Sequence, residues 1–277
     1  MELLCCACDL DGTVLNSKNQ LDDAVRDTLL SLRKHGIRLV IATGRTNLQI
    51  REYVSVLELD TPVITCNGGM ITDAKSGEVL SVQYFEPKKI EGMVNFCLER
   101  NLDFLLYSNE YVYHSEGSSR ILKFSNYNKT VPEKFQVPIR PICELPGFQN
   151  IVKILVTNDL SIMPELLSEW GDGTVSIVSS GQNLIDIMPG HGTSKGEALR
   201  KVCELLGIRP ENVAVFGDSP NDLSMFEVSG YAVAMGNATD EVKAAADFVS
   251  ATCDEAGVKL GIESLLKTRA PVFGGRA

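Results

Sequence analysis

Four short polar stretches hold the side chains of this sequence that could do chemistry together. They are Asp9 with Asp11, Thr43 with Gly44, Lys195, and Asp218 with Asn221 and Asp222. Asp9 and Asp11 follow an apolar run, Leu3 to Ala7, that reads as a buried strand. Positions i and i+2 share one face of a strand, so both carboxylates can point into one site. Carboxylates brought together repel by roughly 4 kcal/mol per pair at about 4 Å and an effective dielectric near 20. Such a pocket needs a divalent cation, and an all-oxygen donor set favours Mg²⁺ over zinc. A cation held by acidic groups beside a lysine and a threonine suits a phosphoryl group. Unaided hydrolysis of phosphate monoesters is so slow that enzymes accelerate it by up to about 10²¹-fold. One route divides the step through an aspartyl-phosphate, with a second carboxylate protonating the leaving oxygen and later activating water.

Each stretch also has an ordinary structural reading. Asp11-Gly12 between apolar runs is a hairpin signal. Thr43-Gly44 fits a plain strand-to-helix turn, and Asp222 fits the N3 carboxylate of a capping box. Lys195 could be a solvated lysine, although a cation in a helix's first turn opposes the macrodipole and makes sense with something negative opposite it. The run Gly190-His191-Gly192-Thr193-Ser194-Lys195 suggests a phosphate loop. Lys195 is not preceded by Gly or followed by Ser or Thr, so the Walker pattern fails. No G-x-G-x-x-G supports a dinucleotide site. The histidines at 35, 114 and 191 are too scattered for His-based phosphatase chemistry, and His191 reads as an ordinary loop residue. Arg120, Lys123 and Tyr111 could contact a leaving group or simply form a solvated face.

The elements that must position these groups alternate strand and helix. Apolar residues at 21, 25, 29 and 32 predict a helix over Leu21 to His35, stopped by Gly36. A strand over Ile37 to Ala42, a helix over Asn47 to Leu57 and a strand over Val63 to Cys66 follow. This order predicts a parallel sheet built from βαβ units. Met70–Thr72 and Val79–Val82 flank a turn at Lys75-Ser76-Gly77, a predicted hairpin. The texture then changes: 12 of the 18 aromatics (10 Phe, 7 Tyr, 1 Trp) lie between Tyr84 and Trp170. Within that region the pattern predicts a helix near 87–100 and strands near 103–107 and 111–114. It continues with a helix beginning near Gly117, a Pro-punctuated stretch, a strand over 151–157, a helix near 161–170, and strands near 174–178 and 184–188. Ser194-Lys195-Gly196-Glu197 fits a capping box opening a helix to Leu206. Asn212 to Phe216 predicts a strand, with Ser219 as N-cap and Pro220 as N1 of the next helix. A strand over Tyr231 to Met235, helices from Thr239 and from Glu255 to Lys267, and a loose tail from Arg269 complete the chain. All four polar stretches thus lie after a predicted strand or in a loop entering a helix, the edge where doubly wound sheets bind ligands.

Composition narrows the field. With 277 residues, 44% hydrophobic and 22% charged, the chain has the balance of a soluble globular protein of one large or two ordinary domains. A net charge of −10 argues against an electrostatic nucleic-acid binder and against an anionic membrane surface. Eight cysteines show no repeated C-x-x-C pattern, and no second pair or His cluster completes a zinc site, so a reducing cytoplasm is the expected compartment. The opening Met-Glu-Leu-Leu lacks the basic region of a signal peptide, and no apolar run reaches membrane-spanning length.

Asp9-x-Asp11-Gly12-Thr13, Thr43-Gly44-Arg45, Lys195 and Gly217-Asp218-x-x-Asn221-Asp222, in this order, resemble the haloacid dehalogenase superfamily. The likeness is closer to its Cof-type phosphatases with a type IIB cap. Cys66-Asn67-Gly68-Gly69, Gly192 to Gly196 and Ala234-Met235-Gly236-Asn237-Ala238 support it, while Ser250 to Glu255 departs from the usual Asn-containing turn. The resemblance implies an α/β fold, a Rossmann-like parallel-sheet core (1–83 and 187–277) with an inserted α+β cap domain (84–186). It implies Asp9 as nucleophile and Asp11 as acid/base. Asp9, Asp11 through its main-chain carbonyl, and Asp218 would bind Mg²⁺, with Asp222 helping to fix the metal site. Thr43, the Leu10 and Gly44 amides, Lys195 and Asn221 would hold the phosphate. The implied activity is Mg²⁺-dependent hydrolysis of a small phosphorylated metabolite, a sugar phosphate first. The rivals are a phosphomutase of the same superfamily and a non-catalytic phosphometabolite-binding regulator.

Overall fold

The computed structural model describes residues 2–157, 160–179, 183–190 and 193–269. His191 and Gly192, part of the loop weighed above, and the tail from Ala270 onward lie outside them. In chain order the strands are β1 (Cys5–Cys8), β2 (Arg38–Ile41), β3 (Val63–Thr65), β4 (Met70–Thr72), β5 (Val79–Val82), β6 (Asp103–Ser108) and β7 (Val112–His114). They continue with β8 (Ile139–Pro141), β9 (Ile151–Thr157), β10 (Val175–Ser179), β11 (Leu184–Pro189), β12 (Val213–Gly217), β13 (Tyr231–Ala234) and β14 (Phe248–Val249). The α-helices are α1 (Asp23–Ser31), α2 (Asn47–Val56), α3 (Pro87–Glu99), α4 (Ile121–Thr130) and α5 (Met163–Trp170). After them come α6 (Lys195–Leu206), α7 (Leu223–Val228), α8 (Asp240–Ala244) and α9 (Gly257–Arg269). Among the described residues no helix is long and apolar enough to cross a membrane. The chain divides into two compact units, 1–41 with 203–277, and 42–202. These borders lie outside the insert expected at 84–186, which falls wholly within the second unit.

The first unit is the parallel-sheet half of the fold, with strand order β14-β13-β12-β1-β2. β1 pairs in parallel on both sides, with β12 and with β2, and all four of its side chains are buried. A strand covered on both faces reads as an unbroken apolar run, which is why Cys5, Cys6, Ala7 and Cys8 suit it. α1 buries Val25 and Leu29 and runs into a 3₁₀ turn, Leu32–His35, whose Leu32 continues the apolar stripe. Gly36 ends it in the left-handed region, φ 69°. All eight cysteines are free thiols, seven of them buried as small apolar groups.

The second unit holds the antiparallel sheets. Its six-stranded sheet has the order β10-β11-β9-β6-β7-β8, antiparallel except for the pair β7 and β8. Both faces are covered. Ile90, Met93, Val94 and Cys97 of α3 pack with Phe104, Leu106, Ile154, Val156, Ile185 and Ile187. On the other face Leu105, Tyr107, Val112, Val152 and Leu155 pack with Phe124 of α4. Alternation along β6 separates these sets, while a register shift between β6 and β9 puts Val152 with Leu155 on the second face.

Three expectations change. β3 joins an antiparallel sheet, β3-β4-β5, and its parallel partner is a single bridge between Ala42 and Ile64. Its apolar run could not reveal the direction of its neighbours. α4 starts at Ile121, because Gly117 (φ 71°) and the Ser115–Ser119 stretch instead wrap around the Asp103 carboxylate. The Pro-punctuated stretch contains a short strand, β8; as the sheet's outer strand it can accept Pro141 at its end.

Candidate active site

In the first unit, β1 leads directly into the acidic group. Asp9 is 5% exposed, and its N–H donates to Phe216 O at 2.9 Å, one step beyond the strand pairing. The chain then closes a turn, Leu15 N–H to Leu10 O at 2.8 Å, with Leu10 buried and Asp11 half-buried. The Asp-Gly signal is therefore a turn but not a strand hairpin, since β1 pairs in parallel and α1 follows. Gly12 sits at φ 76°, and a Cβ there would lie 2.5 Å from Asp218 Oδ2, so this turn tolerates no side chain.

Asp218 follows β12 and is oriented by two groups the sequence reading gave no role. Thr13 Oγ1 donates to Asp218 Oδ1 at 3.3 Å, and Asn237 Nδ2 donates to Asp218 Oδ2 at 3.3 Å. Asn237 Nδ2 also reaches Gly12 O at 2.9 Å, while its Oδ1 accepts from Cys253 N–H at 2.8 Å. Only its place in Ala234-Met235-Gly236-Asn237-Ala238 hinted at it. Ser219 and Pro220 open the 3₁₀ turn Pro220–Asp222 as predicted, with half-buried Asn221 in its middle. Asp222, fully buried, is the capping-box carboxylate expected of it. Its Oδ2 accepts from Asp218 N–H and Ser219 N–H, each at 3.0 Å, completing a capping box. It also belongs to the group of Asp9, Asp218 and Asp222, each of which places one carboxylate oxygen within 4.8 Å of the others.

That group fits a hard cation. All its donors are oxygens, and octahedral Mg–O bonds of about 2.1 Å set opposite ligands about 4.2 Å apart. The buried thiols Cys8 and Cys66 offer no competing nucleophile. Burial, reinforced by Cys6, Cys5 and Asp9, holds the Cys8 thiol well above its ordinary pKa, and desolvation pushes Cys66 up to about 12.

In the second unit, Thr43 is fully buried and its turn is tied down on every side. Thr43 N–H donates to Ile64 O at 2.9 Å, Asn67 N–H to Thr43 O at 3.0 Å, and Cys66 N–H to Arg45 O at 2.8 Å. Arg45 N–H donates to Thr43 Oγ1 at 3.1 Å, which leaves the threonine hydrogen to serve as a donor. Lys195, the first residue of α6, is 1% exposed, which excludes the solvated-surface reading. Ser194 Oγ accepts from Glu197 N–H at 3.2 Å, the predicted cap of this helix. Gly68, at φ 99°, lets the Cys66–Gly69 turn approach so closely that a Cβ would fall 2.1 Å from Ser194 O. That contact sets the start of the helix and with it Lys195.

Comparison with known proteins matches residues 6–262 to the haloacid dehalogenase-like hydrolase family. A 5-amino-6-(5-phospho-D-ribitylamino)uracil phosphatase of Bacillus subtilis is 31% identical over 283 residues, covering 95% of this chain and 98% of that protein. A pyridoxal phosphate phosphatase of Escherichia coli is 32% identical over 252 residues, covering 88% of this chain and 91% of the relative. A solved haloacid dehalogenase-like hydrolase from Bacteroides thetaiotaomicron superposes with a TM-score of 0.82 at 28% identity, covering 95% of this chain and 100% of that one.

Proposed function

This chain belongs to the haloacid dehalogenase-like hydrolases and is a phosphatase, and from that premise we propose that it hydrolyses a small phosphorylated metabolite with Mg²⁺, through a phosphorylated Asp9. The observation that carries the proposal is the convergence of Asp9, Asp218 and Asp222 at the ends of β1 and β12. Asp9, the Asp11 carbonyl and Asp218 would hold the cation, with Asp222 fixing the geometry of Asp218 through its backbone bonds. When bound, Mg²⁺ supplies charge neutralisation for the phosphoryl oxygens.

The roles of the remaining residues follow from their chemistry. An Asp9 oxygen attacks phosphorus, the ester P–O bond breaks, and the departing alkoxide takes a proton from Asp11. Asp11, now a carboxylate, accepts a proton from water, which attacks the aspartyl-phosphate and releases inorganic phosphate and Asp9. The Thr43 hydroxyl, the Gly44 and Leu10 N–H groups, Lys195 and Asn221 bind the phosphoryl oxygens. Residues 84–186, with the two-faced antiparallel sheet, act as the cap that selects the leaving group. We favour sugar phosphates, and the names of the two relatives, one containing a phosphoribityl group, support a small phosphorylated molecule. The eight free cysteines support the cytoplasm as its compartment.

A screen of phosphorylated metabolites with Mg²⁺, including pyridoxal phosphate, ribityl and sugar phosphates, and an aryl phosphate, tests this reading. Free phosphate and isomerised sugar are read together. Phosphate release that needs Mg²⁺ supports it; sugar isomers without free phosphate would make the enzyme a mutase, and no turnover of any ester would end the proposal.

A further inference from the structure

The second unit buries an ion pair that the reaction outlined above leaves without a task. Lys153 on β9 and Asp186 on β11 are 6% and 2% exposed, and Lys153 Nζ lies 2.7 Å from Asp186 Oδ2. The strands are antiparallel neighbours with Leu155 opposite Asp186, so the pair is diagonal across the ladder. Buried charges are expensive, and apolar residues of similar volume often serve stability equally well. The other contacts of this pair suggest why charge is kept.

Lys153 Nζ also donates to Gly44 O at 3.0 Å, and it stands 5.5 Å from the Tyr107 ring centroid. Asp186 Oδ2 accepts from Asn67 Nδ2 at 3.3 Å, while Oδ1 is buried with no hydrogen-bond partner among the described residues. Asn67, at φ 53°, donates its own N–H to Thr43 O. Its side chain lies so close to Gly44 that a Cβ there would meet Asn67 Oδ1 at 2.9 Å. The circuit Lys153–Asp186–Asn67 thus begins and ends on the Thr43-Gly44 turn.

We propose that Lys153 and Asp186 are positioning residues for that turn. The ammonium fixes the peptide plane following Gly44, and the carboxylate holds the Asn67 amide against the Gly44 Cα. Together they orient the Gly44 N–H and the Thr43 hydroxyl as donors to a phosphoryl group. The inference rests on the reading that Thr43 and Gly44 bind that group. Because the pair acts at the phosphoryl end, its loss must weaken all phosphate esters alike, and inorganic phosphate with them. A residue that selects the leaving group would spare inorganic phosphate.

The test compares two uncharged double variants in the full-length enzyme with Mg²⁺. Lys153→Met with Asp186→Asn removes the donor to Gly44 O, whereas Lys153→Gln with Asp186→Asn retains one. For each, kcat and KM are measured with an aryl phosphate and with the best metabolite. The inhibition constant for inorganic phosphate and the thermal transition are measured alongside. In the Met variant the inhibition constant should rise about tenfold or more, with kcat/KM falling equally for both substrates, the scale of a misplaced binding group. The Gln variant should recover most of that loss. Equal phosphate inhibition in the two double variants and the parent would overturn the proposal, as would a loss confined to the metabolite. Should neither double variant fold, Asp186→Asn alone reads the same quantity: a raised inhibition constant supports the role, and an unchanged one overturns it. A wild-type enzyme without turnover or phosphate inhibition would instead overturn the underlying phosphatase site. Thr43→Val binding phosphate as tightly as wild type would remove the turn's assigned role.

Discussion

In the first unit three carboxylates, Asp9, Asp218 and Asp222, crowd within 4.8 Å of one another; in the second the buried carboxylate Asp186 faces Lys153 at 2.7 Å. The two arrangements sit on different sheets. The acidic group is presented by the ends of parallel strands, where loops leave the sheet and backbone donors such as Asp218 N–H and Ser219 N–H help to bear the charge. The Lys153–Asp186 pair lies within an antiparallel sheet covered on both faces, where little solvent shares the load. Like charges gathered at roughly 4 kcal/mol per pair persist where a cation is to be recruited. Opposite charges buried together bring their own neutralisation and can spend their geometry on orienting neighbours. One region is built to acquire a charge and the other to hold a shape.

Metal removal gives the largest separation between them. Chelation with EDTA should reduce turnover to background and added Mg²⁺ should restore it, while far-UV circular dichroism stays unchanged. Full activity of the metal-stripped enzyme would erase the distinction drawn for the acidic group.

The two aspartates after β1 sharpen the contrast further. Asp9→Asn should lower turnover of every ester by at least about 10⁴-fold, as loss of a covalent nucleophile does. Asp11→Asn should depend on the leaving group, because an alkoxide needs a proton that a stabilised aryl phenolate does not. The first step with a sugar phosphate should suffer about 10²- to 10⁴-fold more than with an aryl phosphate. Water attack would still lack its base, so rapid-quench measurements should show one equivalent of phenol in a burst followed by a stall. Equal losses with no burst would reduce Asp11 to a turn residue.

Shape rather than charge is tested at Gly68. Gly68→Ala adds a Cβ against Ser194 O at a left-handed backbone position. Backbone strain and overpacking together should destabilise the protein by at least about 2 kcal/mol in denaturant unfolding. Because the strained contact precedes Lys195, the inhibition constant for phosphate should rise even in conditions where the variant is fully folded.

The smallest effect is expected at an exposed carboxylate. The Asp172 carboxyl is held below the usual range by the Thr174 hydroxyl first, then by Lys89 and the Thr174 N–H. A depressed folded value means a contribution present above the ordinary aspartate pKa of about 3.9 and lost as pH falls through the folded value. Asp172→Ala should therefore show a slightly lower melting temperature than wild type at neutral pH, and the gap should close in strong acid. A gap that widened below about pH 4 would contradict the assigned sign.

Much of this was open to reading from residue order, because the signals are local. Ser219 and Pro220 mark a helix start by side-chain capping and a pre-set φ, and Gly36 stops a helix by its left-handed conformation. Asp9 and Asp11 lie two apart after β1, and Asp218 and Asp222 lie four apart after β12. The acidic residues, with a lysine and a threonine in the neighbouring stretches, sufficed to propose a cation and a phosphoryl group. What sequence order could not supply were partners far along the chain. β3 pairs antiparallel with β4 although its apolar run suits a parallel strand equally well. Asn237 orients Asp218 from 19 residues away, and Lys153 reaches Gly44 across 109. An asparagine or a lysine carries no local mark of such a task, because the task depends on which backbone carbonyl or carboxylate the folded sheets bring within 3 Å or so of it. The sequence by itself determined the chemistry the side chains can do; tertiary packing decided which of them are held still enough to do it.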